Sequence, residues 1–349
     1  MAVSKKLQAI IDNMSEATFT RFDDLWWDNT VGNVPHATRS ILEAKVKRTD
    51  VDFSSALVLA NGPSLARHGA LETLKQSGYK GLIIAVDSVI GACLRNEIVP
   101  DCVVVVDPRA RIVNYFGADE KLDQLSPEDL RYYQSRKEET HLGSEPVATS
   151  RNNRELLDQY GEQMIALLAT SCTPRIAQRC QEAGLDTYWF NPAYDDYDLP
   201  GSFTRKVYDL IPMPCVNVGG NVGTAGWIMA HSAFDIPKVG LAGFDFSYYP
   251  DTELERTQYY DELVELAGLD GLEDLLPRLV NPNTGEEFFT DPAYYWYQQV
   301  FLELAATAPC TTVNCTEGGI IFGDSIVEMP LSSFLSGLSG LSGSQPKVV

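Results

Sequence analysis

Seven apolar runs in this chain each stop at a small polar or acidic group, and those groups are where chemistry could be done. Asn61-Gly62-Pro63-Ser64 follows Leu57–Ala60, Asp87-Ser88 follows Leu82–Val86, and Asp107-Pro108 follows Cys102–Val106. Thr170-Ser171 follows Ile165–Ala169, and Asn191-Pro192 follows Thr187–Phe190. Asp245 lies just beyond Val239–Ala242, and Asn314-Cys315-Thr316-Glu317-Gly318-Gly319 closes Thr311–Val313. One polar strand end signals only a turn, because turns favour these residues. A whole series of them, several aspartate, points to a ligand-binding edge of a sheet. The aspartates Asp87, Asp107 and Asp245 could bind Mg²⁺ or hydrogen-bond a ribose or base. Asn61-Gly62-Pro63-Ser64 has two readings. Gly62 permits a tight turn and Pro63 suits a first helical position, or the strand-to-helix turn aims backbone N–H groups at an anion.

"CVNVGGNVGTAGWIMAHSAF" supplies a second wall. Gly219-Gly220-Asn221 precedes a helical pattern with small residues at Gly223, Ala225 and Gly226, which admit either a ligand or a neighbouring backbone. The segment matches neither G-x-G-x-x-G nor G-x-x-x-x-G-K-[ST], so a dinucleotide fingerprint and a Walker loop are both absent. His231 falls inside this helical stretch as a packed or surface residue. His36, His68 and His141 have no evident partner. With no G-x-S-x-G either, a Ser-His-Asp hydrolase is a poor fit.

The elements that must position these groups are short runs, several apolar throughout, alternating with helical patterns. That alternation predicts an α/β fold: a Rossmann-like, doubly wound, mainly parallel sheet covered on both faces. Residues 1–50 read as an N-terminal helical segment with an aromatic patch at Phe22, Trp26 and Trp27. Residues 51–333 form the Rossmann-like domain, interrupted by polar insertions at about 117–160 and 250–290. The first holds a helix start at Ser126-Pro127-Glu128-Asp129, and Asp291-Pro292 opens another helix after the second. Residues 334–349 are a low-complexity tail.

The 349 residues carry 27 basic and 48 acidic side chains, a formal net charge of −21. Such a surface repels nucleic acid and anionic lipid. A nucleotide would then be held by backbone N–H groups, helix ends or a metal ion. The cysteines include no Cys-x-x-Cys, which argues against zinc or a disulfide framework and suits a reducing cytoplasm. No stretch approaches the roughly 18 apolar residues of a membrane span, and "MAVSKKLQAIIDNM" follows helical spacing rather than that of a signal peptide.

"LANGPSL", "AVDSVIGACLRNEIVPDCVVVVDP", "GGNVGTAGWIMAHSAFDIPKVGLAGFDFSY" and "NCTEGGIIFG" together resemble the MptE-like 6-hydroxymethylpterin diphosphokinase family. They are most similar to its branch of motility accessory factor glycosyltransferases, which transfer nonulosonic sugars. Asn-Gly-Pro-Ser and Gly243-Phe244-Asp245-Phe246 are also similar to segments of bacterial sialyltransferases that use CMP-sialic acid. The resemblance implies a cytoplasmic transferase that moves a sialic-type sugar from a CMP-activated donor to a protein or glycan, with no required cofactor. Asn61, Gly62, Ser64, Asp87 and Ser88 would then face the nucleotide, joined by Asp107, Gly219, Gly220, Asn221 and Thr316. Tyr248 or Tyr249 would assist the leaving phosphate. Those sialyltransferases use a histidine base after the Asp-Phe segment, whereas this chain has no histidine beyond His231, which leaves Asp245 or Glu317 as the base. Two alternatives stand beside this one: Mg²⁺-dependent diphosphotransfer from ATP, with Asp87, Asp107 and Asp245 as ligands, and nucleotide binding without turnover.

Overall fold

A computed structural model describes residues 5–117 and 146–337. The helix start at Ser126–Asp129, His141 and the tail from residue 338 lie outside the described residues. A nine-stranded parallel sheet dominates, in the order β11-β10-β7-β1-β2-β3-β4-β5-β6. These are β1 (Asp52–Leu59), β2 (Gly81–Val86), β3 (Cys102–Val105), β4 (Ile165–Ala169), β5 (Asp186–Pro192), β6 (Cys215–Val216), β7 (Lys238–Ala242), β10 (Thr311–Asn314) and β11 (Ile326–Glu328). The expected Rossmann-like, doubly wound class is what the chain adopts. All seven expected runs are strands. β6 and β11 join them at the two edges, and β8 (Arg278–Val280) and β9 (Glu287–Phe289) form a separate antiparallel hairpin.

The continuous apolar runs have a simple cause. Side chains alternate between faces along a strand, and both faces here are covered. Ala56, Val58, Ile84 and Val104 pack with Trp227 and Ile228 of the helix Val222–Ser232. The intervening Leu57, Leu59, Ile83 and Ala85 pack with Leu71 and Leu74 of the helix Ala70–Ser77. Farther along that second face, Val103, Val105, Ala166 and Leu168 meet Ile176 and Ala177 of the helix Pro174–Glu182. Asn191, read from the sequence as a strand-end group, lies inside β5. It is fully buried, donating to Ile211 O and Met213 O and accepting from Thr170 Oγ1.

The N-terminal helix Met14–Asn33 crosses the carboxyl ends of β3 and β4. Asn33 Nδ2 donates to Thr170 O and Cys172 O at 2.8 and 2.6 Å. Asn29 Nδ2 donates to Pro108 O and Ser171 O at 2.8 and 2.9 Å. Buried carbonyls left at strand ends need such donors. The second insertion carries its own small core, in which Tyr248, Leu263, Leu275 and Phe289 pack together. Among the described residues, no helix is long and apolar enough to cross a membrane.

Candidate functional site

After β1 the chain moves outward through β2 to β6, and it then returns to place β7 on the other side of β1. The switch in strand order therefore falls between β1 and β7. The Asn61 turn and Gly243-Phe244-Asp245 leave the sheet side by side there. A cavity of about 830 Å³ opens at this point. Its floor is Asn61, Gly62, Asp87, Ser88, Asp107 and Asp245, with Gly219, Gly220 and Asn221 to one side. Of the nucleotide-facing candidates, only Ser64 and Thr316 do not line it.

The Asn61–Ser64 turn is folded inward. Gly62 N–H donates to Gly243 O at 2.9 Å, Pro63 has no N–H, and Ser64 N–H and Oγ both bond the Asp245 carboxylate, the hydroxyl at 2.6 Å. A Cβ on residue 62 would stand 2.0 Å from Asp245 Oδ2 and 2.5 Å from Gly243 O, so only glycine fits. The N–H groups of Gly62 and Ser64 are thus committed within the protein, contrary to an anion-facing turn. What the turn presents to the cavity is Asn61, whose Nδ2 has no hydrogen-bond partner among the described residues.

On the second wall Gly219 N–H donates to Asn217 Oδ1 and Asn221 N–H to Val218 O, so the N–H groups open to an anion would be those around Gly220 and the first helical turn. Asn221 caps the eleven-residue helix Val222–Ser232, its side chain accepting from Thr224 N at 2.9 Å. The start of that helix, from Gly219 through Gly223, faces the cavity. N–H groups of a first turn have no partner within their helix, and the dipole favours negative charge there. Gly220 has φ +77°, and a Cβ on it would meet Trp296 at 2.6 Å.

The carboxylates behave differently from one another. Asp245 faces the cavity but is bound to Ser64. Asp87 is 3 % exposed, and its Oδ1 accepts from Ser88 N–H. Burial pushes Asp107 up, but the Arg109 guanidinium outweighs this and, with help from Arg111, holds it below the usual carboxylate range. Among the described residues no group of three His, Cys, Asp or Glu is disposed to hold a metal. The trio Asp87, Asp107 and Asp245 does not fit a shared Mg²⁺, because two of its members are already bound to Arg109 and Ser64.

Of the remaining candidates, all but Tyr248 fall away from the open space. Glu317 is exposed and outside the cavity, with Oε2 accepting from Leu331 N–H at 3.2 Å. Thr316 Oγ1 accepts from Phe244 N–H at 3.1 Å, fixing the end of β7. Tyr249 lies outside too, its hydroxyl 3.1 Å from His68 Nε2. Tyr248 lines the cavity, yet its hydroxyl donates to Asp291 Oδ2 at 2.8 Å and accepts from Gln258 N–H at 3.0 Å. His231 lies outside the cavity and packs edge-on against Trp227.

Residues that the sequence reading passed over complete the enclosure. Asp291 lines the cavity while capping the helix Pro292–Thr307, and burial raises its carboxyl to about 6. Tyr294 and Tyr297 follow at one-turn spacing. Tyr294 OH donates to Gln258 Oε1 at 2.6 Å, and Tyr297 OH lies 3.5 Å from Tyr259 OH. Phe19, Phe22 and Trp26 of the helix Met14–Asn33 line the same cavity. The signals were visible as an Asp-Pro helix start and an aromatic patch, but neither carried any sign of facing the same space.

Fold and cavity together define a Rossmann-like protein with a cavity at its switch point. A family model described as 6-hydroxymethylpterin diphosphokinase MptE-like matches residues 28–251, and the chain belongs to that MptE-like family. Its fold is similar to that of a Maf glycosyltransferase from Magnetospirillum magneticum AMB-1, at 14% identity and a TM-score of 0.53. That likeness covers 89% of this chain and 38% of the other, so this chain spans well under half the length of that protein. No curated protein matches the chain. The matched family segment contains the ends of β1, β2, β3 and β7. The walls built from Phe19, Phe22 and Trp26 and from Gln258 to Tyr297 lie outside it.

Proposed function

We propose that the chain is a nucleotide-sugar-dependent glycosyltransferase. Its donor is a CMP-activated nonulosonate or related sugar, and its acceptor a hydroxyl of a protein or glycan. One observation carries this reading most of the way: a deep cavity at the β1/β7 switch point, where the Asn61 amide and the amino end of the helix Val222–Ser232 face the same space. A helix start suits a phosphate in a chain otherwise hostile to anions. Family membership and the shared fold support a transferase.

In the reaction, the acceptor oxygen bonds the anomeric carbon as the bond from that carbon to the phosphate oxygen breaks. The electron pair leaves on the phosphate and the hydroxyl proton passes to a base. The first-turn N–H groups near Gly220 would offset charge on the leaving phosphate. Glu317 lies outside, Asp245 is held by Ser64, and Asp291 is held by Tyr248 and by Tyr294 N–H. Of the two bound carboxylates, Asp291, raised to about 6 by burial, is the one matched to a base's task. Walls at Phe22, Trp26 and Tyr294 would exclude water from the sugar.

The description of the matched family supports a second reading, Mg²⁺-dependent diphosphotransfer from ATP. Calorimetric titration of metal-stripped protein with CMP and ATP, each with and without Mg²⁺, separates the two. CMP binding that ignores Mg²⁺ supports the glycosyltransferase. ATP binding that requires Mg²⁺, with CMP silent, replaces it with diphosphotransfer.

A further inference from the structure

The rim of the cavity is built from parts of the chain that the family match, residues 28–251, does not reach. Ile10, Met14 and Phe22 line it from the two N-terminal helices, and Glu262, Leu263 and Leu266 from the helix Tyr260–Ala267 of the second insertion. Ile10 packs with Leu263 in the small core of that insertion. The two sides also meet at Arg21 and Glu262, 3.8 Å apart and about half exposed. An ion pair so exposed holds little, so an incoming cation can compete for Glu262. Leu266 lines the cavity and is still 55 % exposed, which places it at the lip, and Leu269 three positions on is 67 % exposed.

The charge around these leucines has one sign. Residues 251–274 carry nine acidic side chains and one basic, Arg256, and Arg256 is paired with Glu253. Glu265 and Asp270, each next to one of the two leucines, are exposed. Exposed apolar side chains set among carboxylates fit a ligand that is apolar and cationic together. Nucleic acid and anionic lipid are repelled here. An uncharged glycan would leave the carboxylates without a partner, and a small hydrated cation would leave the leucines wet. A second copy of the chain would set one acidic rim against another. A polypeptide segment carrying leucine-like side chains between lysines or arginines satisfies both features.

We propose that the lip formed by Leu266, Leu269 and their flanking carboxylates docks a basic, leucine-bearing polypeptide segment, whose serine or threonine hydroxyl is the acceptor. The docking stands on the rim alone. The segment's role as acceptor rests on the glycosyltransferase reading, to which it adds that the acceptor is a cationic polypeptide.

Fluorescence anisotropy with the full chain tests this, using the labelled peptide Gly-Lys-Leu-Ser-Leu-Lys-Gly. One control peptide has Glu for each Lys, and another has Ser for each Leu. The wild type is expected to bind the first peptide roughly tenfold or more tighter than either control, with affinity falling as salt is raised. Leu266→Ser with Leu269→Ser, and Glu265→Lys with Asp270→Lys, alter only exposed side chains. Each pair should weaken the peptide roughly tenfold, with CMP affinity by calorimetry kept at the wild-type value. Equal binding of the leucine and serine peptides would be mere attraction of lysine to an acidic chain and overturns the proposal. Wild-type peptide affinity in either pair of substitutions does the same. Self-association of the wild type that the leucine substitutions abolish would give the lip to a second copy and overturn it too. A wild type that binds CMP but no peptide brings down this proposal alone. One that binds the peptide but no CMP brings down the nucleotide-sugar reading, and with it the segment's role as acceptor.

Discussion

The Ser64 hydroxyl donates to Asp245 Oδ2 over 2.6 Å, joining the turn after β1 to the segment after β7 across the switch point. Both residues are buried, and the Ser64 N–H reaches the same carboxylate. Replacing Asp245 by Asn weakens these charge-assisted bonds and places an amide N–H against the Ser64 donors. The expected loss is about 1–3 kcal/mol of unfolding free energy, read from urea denaturation. An Asn variant with the wild-type midpoint and no turnover would instead make Asp245 the base.

Asn61 tests the floor of the cavity from the ligand's side. Its Nδ2 has no partner among the described residues, so truncation removes little that the folded protein uses. Asn61→Ala should keep the wild-type denaturation midpoint and weaken CMP binding roughly tenfold, the worth of one hydrogen bond to a charged group. Unchanged affinity would take Asn61 out of the site.

The N-terminal helix makes a separate claim. Asn33 Nδ2 bridges two carbonyls at the end of β4, and Asn33→Ala leaves both short of a donor in a buried setting. A destabilisation of about 1–3 kcal/mol is expected. Deleting residues 1–33 should go further and lower CMP affinity, because Phe19, Phe22 and Trp26 wall the cavity. If the truncated protein folds and binds CMP as tightly as the full chain, these rings are no part of the site.

How far such features can be read from sequence depends on their range. The seven central strands were legible because burial on both faces leaves uninterrupted apolar runs such as Leu82–Val86, 9 % exposed at most. β6 has two residues and β11 three, too few for any period to show. Asn61, Asp87 and Asp107 were legible as strand ends. Nothing local shows that Ser64 turns inward to Asp245, 181 positions away. Nor does it show that Glu317 leaves the cavity to bond Leu331 N–H. Asp291 is the instructive case, since its role as a helix cap could be read from Asp-Pro alone. Its approach to Tyr248 depends on how the second insertion folds back.

Asp291 makes a pH-dependent prediction. Burial raises its carboxyl from 3.8 to about 6, so the folded state holds the proton more tightly than the unfolded chain. The resulting stabilisation is fully present below about pH 4 and is lost as pH rises through 6. Asn at this position still caps a helix and does not titrate. The stability of the wild type relative to Asp291→Asn should therefore fall by roughly 2–3 kcal/mol between pH 4 and 7, from 1.36 kcal/mol per unit, and level off above. Urea denaturation of both proteins at four pH values measures it, and a difference independent of pH would show that Asp291 is ionised throughout. If Asp291 also takes the acceptor proton, kcat of the wild type rises with pH through an apparent value near 6 as the carboxylate forms. The Asn variant then loses that limb together with most of its turnover. A variant that keeps the limb assigns the proton to another group.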